Sequence, residues 1–187
     1  WDLSGRAASL LHQLGLRKGD RALIWAPNCP EWVVAFFGCL RAGVVLVPLD
    51  IRSAPDFVAR VVAQTEPKLA FLSAQTAPHW PDTHLPTLGL EDLEETVEGL
   101  APLGEEPAAA RDDIAELMFT SGTTGEPKGV VLSHGNLVFN VMASRQVLPV
   151  RPRYRLLSLL PLSHMFGQSM ATNSITGSAR LTKRLPI

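Results

Sequence analysis

Most features that mark a specialised protein class are scarce or missing in this sequence. Its 187 residues hold two cysteines, Cys29 and Cys39. They make neither a disulfide framework nor a zinc site, and read as small buried hydrophobes in a reducing compartment. Lysine plus arginine number 17 and aspartate plus glutamate 18, a formal net charge of −1. No basic excess exists to hold a nucleic-acid backbone, and no run of like charge reads as a tail. No apolar run approaches the roughly 18–20 residues that span a bilayer, so no transmembrane segment is expected. His12, His79 and His84 lack metal-ligand spacing, and no metal site is predicted. The chain opens on Trp1-Asp2-Leu3 with neither Met nor a signal-peptide apolar region. It is expected to begin inside a larger protein with a cytoplasmic home. What is present is an ordinary globular balance, 46% hydrophobic and 19% charged, enough for a real core.

The hydrophobic pattern predicts an alternation of helices and strands. Leu3, Ala7, Leu10, Leu11 and Leu14 share one helical face, so residues 2–14 read as an amphipathic helix. Strands are predicted at 21–26, 44–48 and 69–72, and helices at 31–42 and 55–65, with Gly43 as a C-cap and Pro55 in a first turn. Strand, helix, strand, helix, strand implies an α/β fold, a parallel sheet flanked by helices. Residues 73–87 read as a loop and 91–99 as a short acidic helix. Residues 1–100 are taken as a first lobe and 101–113 as a linker. Residues 114–187 are taken as an incomplete second lobe, with strands at 114–119, 129–132 and 155–160. Ser133 is the predicted N-cap of a helix ending near 148. On that helix Phe139 and Met142 read as core, and His134 as a helix-start residue. Asp50, Asp112 and Asp113 read as turn or cap residues.

One segment carries chemistry: Phe119-Thr120-Ser121-Gly122-Thr123-Thr124-Gly125-Glu126-Pro127-Lys128-Gly129. Gly122 and Gly125 permit a tight turn whose N–H groups converge on an anion. The hydroxyls of Thr120, Ser121, Thr123 and Thr124 add donors, and Lys128 adds a mobile positive charge. This grouping suits a polyphosphate. It is not a P-loop, because Lys128 follows Glu126-Pro127 rather than a glycine, and the turn leads into a strand rather than a helix.

The whole string resembles the phosphate-loop signature of the adenylate-forming superfamily, an aromatic residue followed by T-S-G-[ST]-T-G-x-P-K-G. The run Val130-Val131-Leu132-Ser133-His134-Gly135-Asn136-Leu137 is similar to the family's continuation. So are Gly19-Asp20-Arg21 through Pro27-Asn28 to Pro48-Leu49, and Leu160-Pro161-Leu162-Ser163-His164-Met165-Phe166-Gly167, which matches a P-L-x-H-x-x-G segment. The resemblance covers about residues 1–168. Residues 171–187 are more polar than the corresponding stretch of the family.

The resemblance implies an acid–thiol ligase. A carboxylate attacks the α-phosphate of Mg-ATP, expels pyrophosphate, and the acyl-adenylate is then taken by the thiol of CoA. It implies that Thr120, Ser121, Gly122, Thr123, Thr124, Gly125 and Lys128 bind ATP, with Lys128 neutralising charge as pyrophosphate departs. It places His164 between the acyl pocket and the adenylate, with Phe166 and Gly167 shaping that pocket. The expected ligands are ATP, Mg2+, CoA and a small-molecule carboxylic acid, a medium- or long-chain fatty acid in the first reading. The alternatives are a fatty-acyl-AMP ligase or peptide-synthetase adenylation domain serving a carrier protein, and a truncated, non-catalytic binding module. Complete members are longer and add residues for adenine, ribose and Mg2+ and a C-terminal lid lysine, so this chain by itself is expected to be inactive.

Overall fold

A computed structural model describes residues 1–121, 126–147, 155–157, 160–164, 167–168 and 180–182. Helix α1 (Asp2–Gln13) buries Ala7, Ala8, Leu10 and Leu11 along one face. Helix α2 (Pro30–Ala42) starts on Cys29, whose Sγ accepts a hydrogen bond from the Trp32 amide at 3.3 Å. It ends at Gly43, left-handed with φ of 69°, a conformation that a side chain would strain. Helix α3 (Pro55–Thr65) buries Val58 and Val61.

These helices coat a six-stranded sheet. Its strands in chain order are β1 (Arg21–Trp25), β2 (Val45–Leu49), β3 (Leu69–Leu72), β4 (Thr87–Gly89), β5 (Ile114–Ser121) and β6 (Pro127–Ser133). Their spatial order is β4-β3-β1-β2-β5-β6. All neighbours are parallel except β5 and β6, which form an antiparallel hairpin. β1, β2 and β3 are apolar on both sides because both faces are covered. Ala22, Ile24, Leu46, Leu69 and Phe71 point toward α1 and α2. Leu23, Trp25, Val47, Leu49, Ala70 and Leu72 point toward α3. Fully burying one such side chain contributes about 1.5–3 kcal/mol, so these two layers dominate the stability of the chain.

The predicted elements up to residue 72 appear within a residue or two of their expected bounds. The differences come afterwards. The expected 73–87 loop contains a turn of 3-10 helix at Ala77–His79, and strand β4 begins at its last residue. The acidic helix shrinks to α4 (Leu93–Thr96). Residues 101–113 form no helix or strand, yet they are pinned to the first helices. The Leu103 amide donates to the Gly5 carbonyl, Arg41 pairs with Glu106, and Lys18 pairs with Asp113 at 2.7 Å. The expected second lobe begins at Ile114, but β5 continues the first lobe's sheet by pairing with β2.

Helix α5 (His134–Val147) is capped as predicted by Ser133, whose Oγ accepts from the Asn136 amide at 3.2 Å. Asn136 returns the contact, its Oδ1 accepting from the Ser133 amide at 2.9 Å. Phe139 and Met142, expected in the core, are instead 70% and 56% exposed. The reason is geometric: among the described residues α5 packs chiefly against β5, β6 and, through Leu137, the margin of the α1–α2 layer. Of the expected strand at 155–160, Arg155–Leu157 forms β7, which pairs in parallel with β8 (Arg180–Thr182). Leu160 lies in a bend.

Candidate active site

Parallel α/β sheets collect ligands at the carboxyl ends of their strands, where loops and helix starts converge. The carboxyl ends of β1, β2 and β5 are followed in the chain by Asn28, Asp50 and residues 122–125. Every site contact described below except Glu116 lies at that edge.

The β5–β6 hairpin brings Thr120 opposite Lys128 and Ser121 opposite Pro127. Thr120 and Lys128 are both exposed, so a hydroxyl and an ammonium stand side by side on adjacent strands, free to meet a ligand. Gly122, Thr123, Thr124 and Gly125 lie outside the described residues. So does Phe166.

The second part of the site is formed by residues 160–164 and 167–168, held by Asn28, Asp50 and Glu116. Asn28, just beyond β1, grips it twice: its Nδ2 donates to the Leu160 carbonyl at 2.7 Å, and its Oδ1 accepts from the Leu162 amide at 2.8 Å. Asp50, just beyond β2, reaches the His164 imidazole, with Oδ2 3.3 Å from Nε2. The same carboxylate accepts from the Arg52 backbone amide at 2.9 Å and from its guanidinium at 3.0 Å. Hydrogen bonding to Arg52, helped by His164 and opposed by partial burial, pulls the Asp50 carboxyl down to about 2. It is therefore a fixed anion beside an imidazole that is 55% exposed. The aspartate, read from the sequence as a turn residue, serves as both turn and anchor.

Gly167 is buried because the chain folds back on itself there. A Cβ at this position would sit 2.2 Å from the Pro161 carbonyl oxygen, so any side chain would push the segment open.

The third contact comes from β5. Glu116 is completely buried, and Gln168 is 3% exposed. Gln168 Nε2 donates to Glu116 Oε1 at 2.5 Å. Burial pushes the Glu116 carboxyl up to about 7, against the smaller opposing effect of the glutamine hydrogen bond. The Gln168 backbone amide also donates to the His164 carbonyl at 3.1 Å. Sequence reasoning passed over Glu116 and Gln168, and noted Asn28 only as part of the family-like Pro27-Asn28 stretch, without a role at the site. The available signal was a lone acid in the apolar run Ile114-Ala115-Glu116-Leu117-Met118, since an isolated carboxylate is rarely fully buried without a partner.

The arrangement defines a class first: an α/β domain with a mostly parallel sheet that brings an exposed threonine and an exposed lysine together near the carboxyl end of β5. The comparison with known families is specific. Residues 1–180 match the model of the AMP-binding enzyme family, and the chain belongs to that family. Crotonobetaine/carnitine–CoA ligase of Salmonella paratyphi A is 33% identical over 184 aligned residues, covering 89% of this chain and 36% of that protein. The structure of VinN with 3-methylaspartate superposes with a TM-score of 0.88 at 29% identity, over 96% of this chain and 51% of that one. A fatty acyl CoA synthetase of Mycobacterium tuberculosis superposes with a TM-score of 0.84 at 29% identity, over 98% of this chain and 38% of that one. The chain thus spans about a third of the length of the curated relatives it matches.

Proposed function

We propose that the protein of which this chain is a part activates a carboxylic acid with ATP and passes the acyl group to CoA. The observation that carries the reading is the pairing of exposed Thr120 with exposed Lys128 across the β5–β6 hairpin. Hydroxyl and ammonium donors fixed on rigid strands suit the oxygens of a polyphosphate, and such groups act most strongly where charge develops. Thr120, Ser121, Gly122, Thr123, Thr124 and Gly125 are assigned to hold the β- and γ-phosphates, with Lys128 neutralising the departing pyrophosphate. His164, oriented by Asp50, is assigned to the boundary between the acid and the adenylate, with Phe166 and Gly167 shaping the acid pocket. Among the described residues no three acidic, histidine or cysteine side chains converge on a cation. The Mg2+ that accompanies ATP is therefore assigned no ligand from them.

For the acid, a medium- or long-chain fatty acid is the finer reading, supported by likeness to the mycobacterial fatty acyl CoA synthetase. The likeness to crotonobetaine/carnitine–CoA ligase and to VinN with its amino-acid ligand sets the other acids to be tried. The deciding experiment is acid-dependent ATP–pyrophosphate exchange by the full-length protein, with fatty acids of several lengths, crotonobetaine, carnitine and amino acids. Exchange with one class names the substrate. Exchange that proceeds without acyl transfer to free CoA turns the acceptor toward a carrier protein. No exchange with any acid from folded protein overturns the reading in favour of a non-catalytic binding module.

A further inference from the structure

Among the described residues, two buried polar atoms in the third contact find no partner: Glu116 Oε2 and Gln168 Oε1. They belong to the two side chains already joined through Glu116 Oε1 and Gln168 Nε2. A carboxylate and an amide oxygen are both acceptors, so an ionised Glu116 leaves both atoms orphaned, which is costly in a dry interior. A protonated carboxyl removes both orphans together, because its O–H is then a donor and the amide oxygen its acceptor.

We propose that Glu116 is carried as the neutral acid in a two-hydrogen-bond ring with Gln168, and that this ring is the positioning device for His164. Gln168 Nε2 donates to one Glu116 oxygen, and the other oxygen, protonated, donates to Gln168 Oε1. The Gln168 backbone amide holds the His164 carbonyl, so the ring fixes the imidazole's backbone to the sheet from one side while Asp50 fixes its ring from the other. The positioning role rests on the acid-activation reading above. The neutral ring does not.

The surroundings of Glu116 favour the neutral form. β2 carries no titratable side chain, and β6 carries only Lys128, exposed. His164 is engaged with Asp50, Arg41 of α2 with Glu106, and His134 of α5 stands beside Asp113. No charged group contributes to the shift at Glu116, which comes from burial.

The test uses the full-length protein and the variants Glu116→Gln and Glu116→Leu. Glutamine reproduces both bonds of the ring without a titrating proton, whereas leucine reproduces neither. Three results are expected. Infrared spectra at a pH well below 7 contain a protonated-carboxyl band that Glu116→Gln removes. The melting temperature of the wild type falls relative to Glu116→Gln as pH rises from about 4.5 to about 7, the ordinary and folded-state values of this acid, and the difference is flat above. In ATP–pyrophosphate exchange Glu116→Gln stays near wild type, while Glu116→Leu lowers kcat/KM for the acid, on the order of 10²-fold for a misplaced group, with the KM for ATP unchanged. Absence of the carboxyl band, or a flat melting difference across that window, overturns the neutral ring even if no acid supports exchange. A Glu116→Gln variant as impaired as Glu116→Leu overturns the positioning role. If Glu116→Leu does not fold, the Glu116→Gln spectra and pH profile still decide.

Discussion

One sheet is finished in two ways. Around β3, β1 and β2 both faces are covered, and Leu23, Ile24, Leu46, Val47 and Ala70 have no exposure. At the other edge β6 leaves Val130 and Val131 50% and 57% exposed, and α5 buries no residue at all. The covered part supplies the stability. The open part supplies Thr120 and Lys128, and beside it residues 160–164 and 167–168 are held by polar contacts from Asn28, Asp50 and Glu116, while Leu162 packs into the apolar core. Packing energy and site chemistry are therefore separable in this chain, and substitutions should sort by which side they touch.

The largest expected effect lies on the covered side. Phe71 is 1% exposed between the sheet and the α1–α2 layer. Phe71→Ala should cost about 3–5 kcal/mol of stability, through lost burial and the cavity left behind. Denaturant unfolding of the full-length protein measures it, and a loss under about 1 kcal/mol would break the comparison. Lys128→Ala should do the opposite. Its exposed side chain contributes little to folding, so the unfolding midpoint should stay put while adenylate formation slows by about 10²- to 10³-fold, the usual loss for one charge-stabilising donor. Thiolation should slow less. An unchanged first half-reaction would remove Lys128 from the mechanism.

Smaller effects sharpen the boundary. Asn28→Ala removes two hydrogen bonds that hold the 160–162 backbone. Each is worth about 0.5–1.5 kcal/mol net. The expected result is faster amide hydrogen exchange at Leu162 with little change in the core strands. If the core strands exchange faster too, the segment is part of the cooperative core and the proposed separation fails.

The sequence showed the covered side well and the open side poorly, for one physical reason. β1, β2 and β3 are apolar on both faces and bounded by Gly, Pro and Asn, so pattern alone finds them. The start of α5 was equally legible because Ser133 caps it locally. β4 is three residues long and half exposed, with no pattern to read. Phe139 and Met142 looked like core because they are large and apolar, and residue type alone does not show whether anything covers them. At the site, the string from Phe119 to Gly129 is contiguous, so its resemblance to the family signature could be read directly. The Asn28, Asp50 and Glu116 contacts join residues 52 to 134 positions apart, and a single sequence carries no signal of such distant pairings.

The smallest effect tests the finest part of the comparison, the hold on His164. Asp50 is anchored mainly by Arg52, whose side chain is 80% exposed. An exposed pair of this kind is worth at most about 1 kcal/mol, so Asp50→Asn should change stability by no more than that. The sign with pH is fixed. The folded-state carboxyl is lowered from 3.8 to about 2, so its contribution is complete above about 3.8 and disappears as pH falls through about 2. Across the neutral range the difference between wild type and Asp50→Asn should therefore be small and constant. Exchange kinetics should respond more than stability does, because the imidazole loses its fixed anion. We expect Asp50→Asn to shift acid preference or rate in the same direction as His164→Ala, with ATP affinity nearly intact in both. If the double variant is no worse than His164→Ala, Asp50 acts through the histidine. Additive losses would mean that the carboxylate meets a ligand of its own.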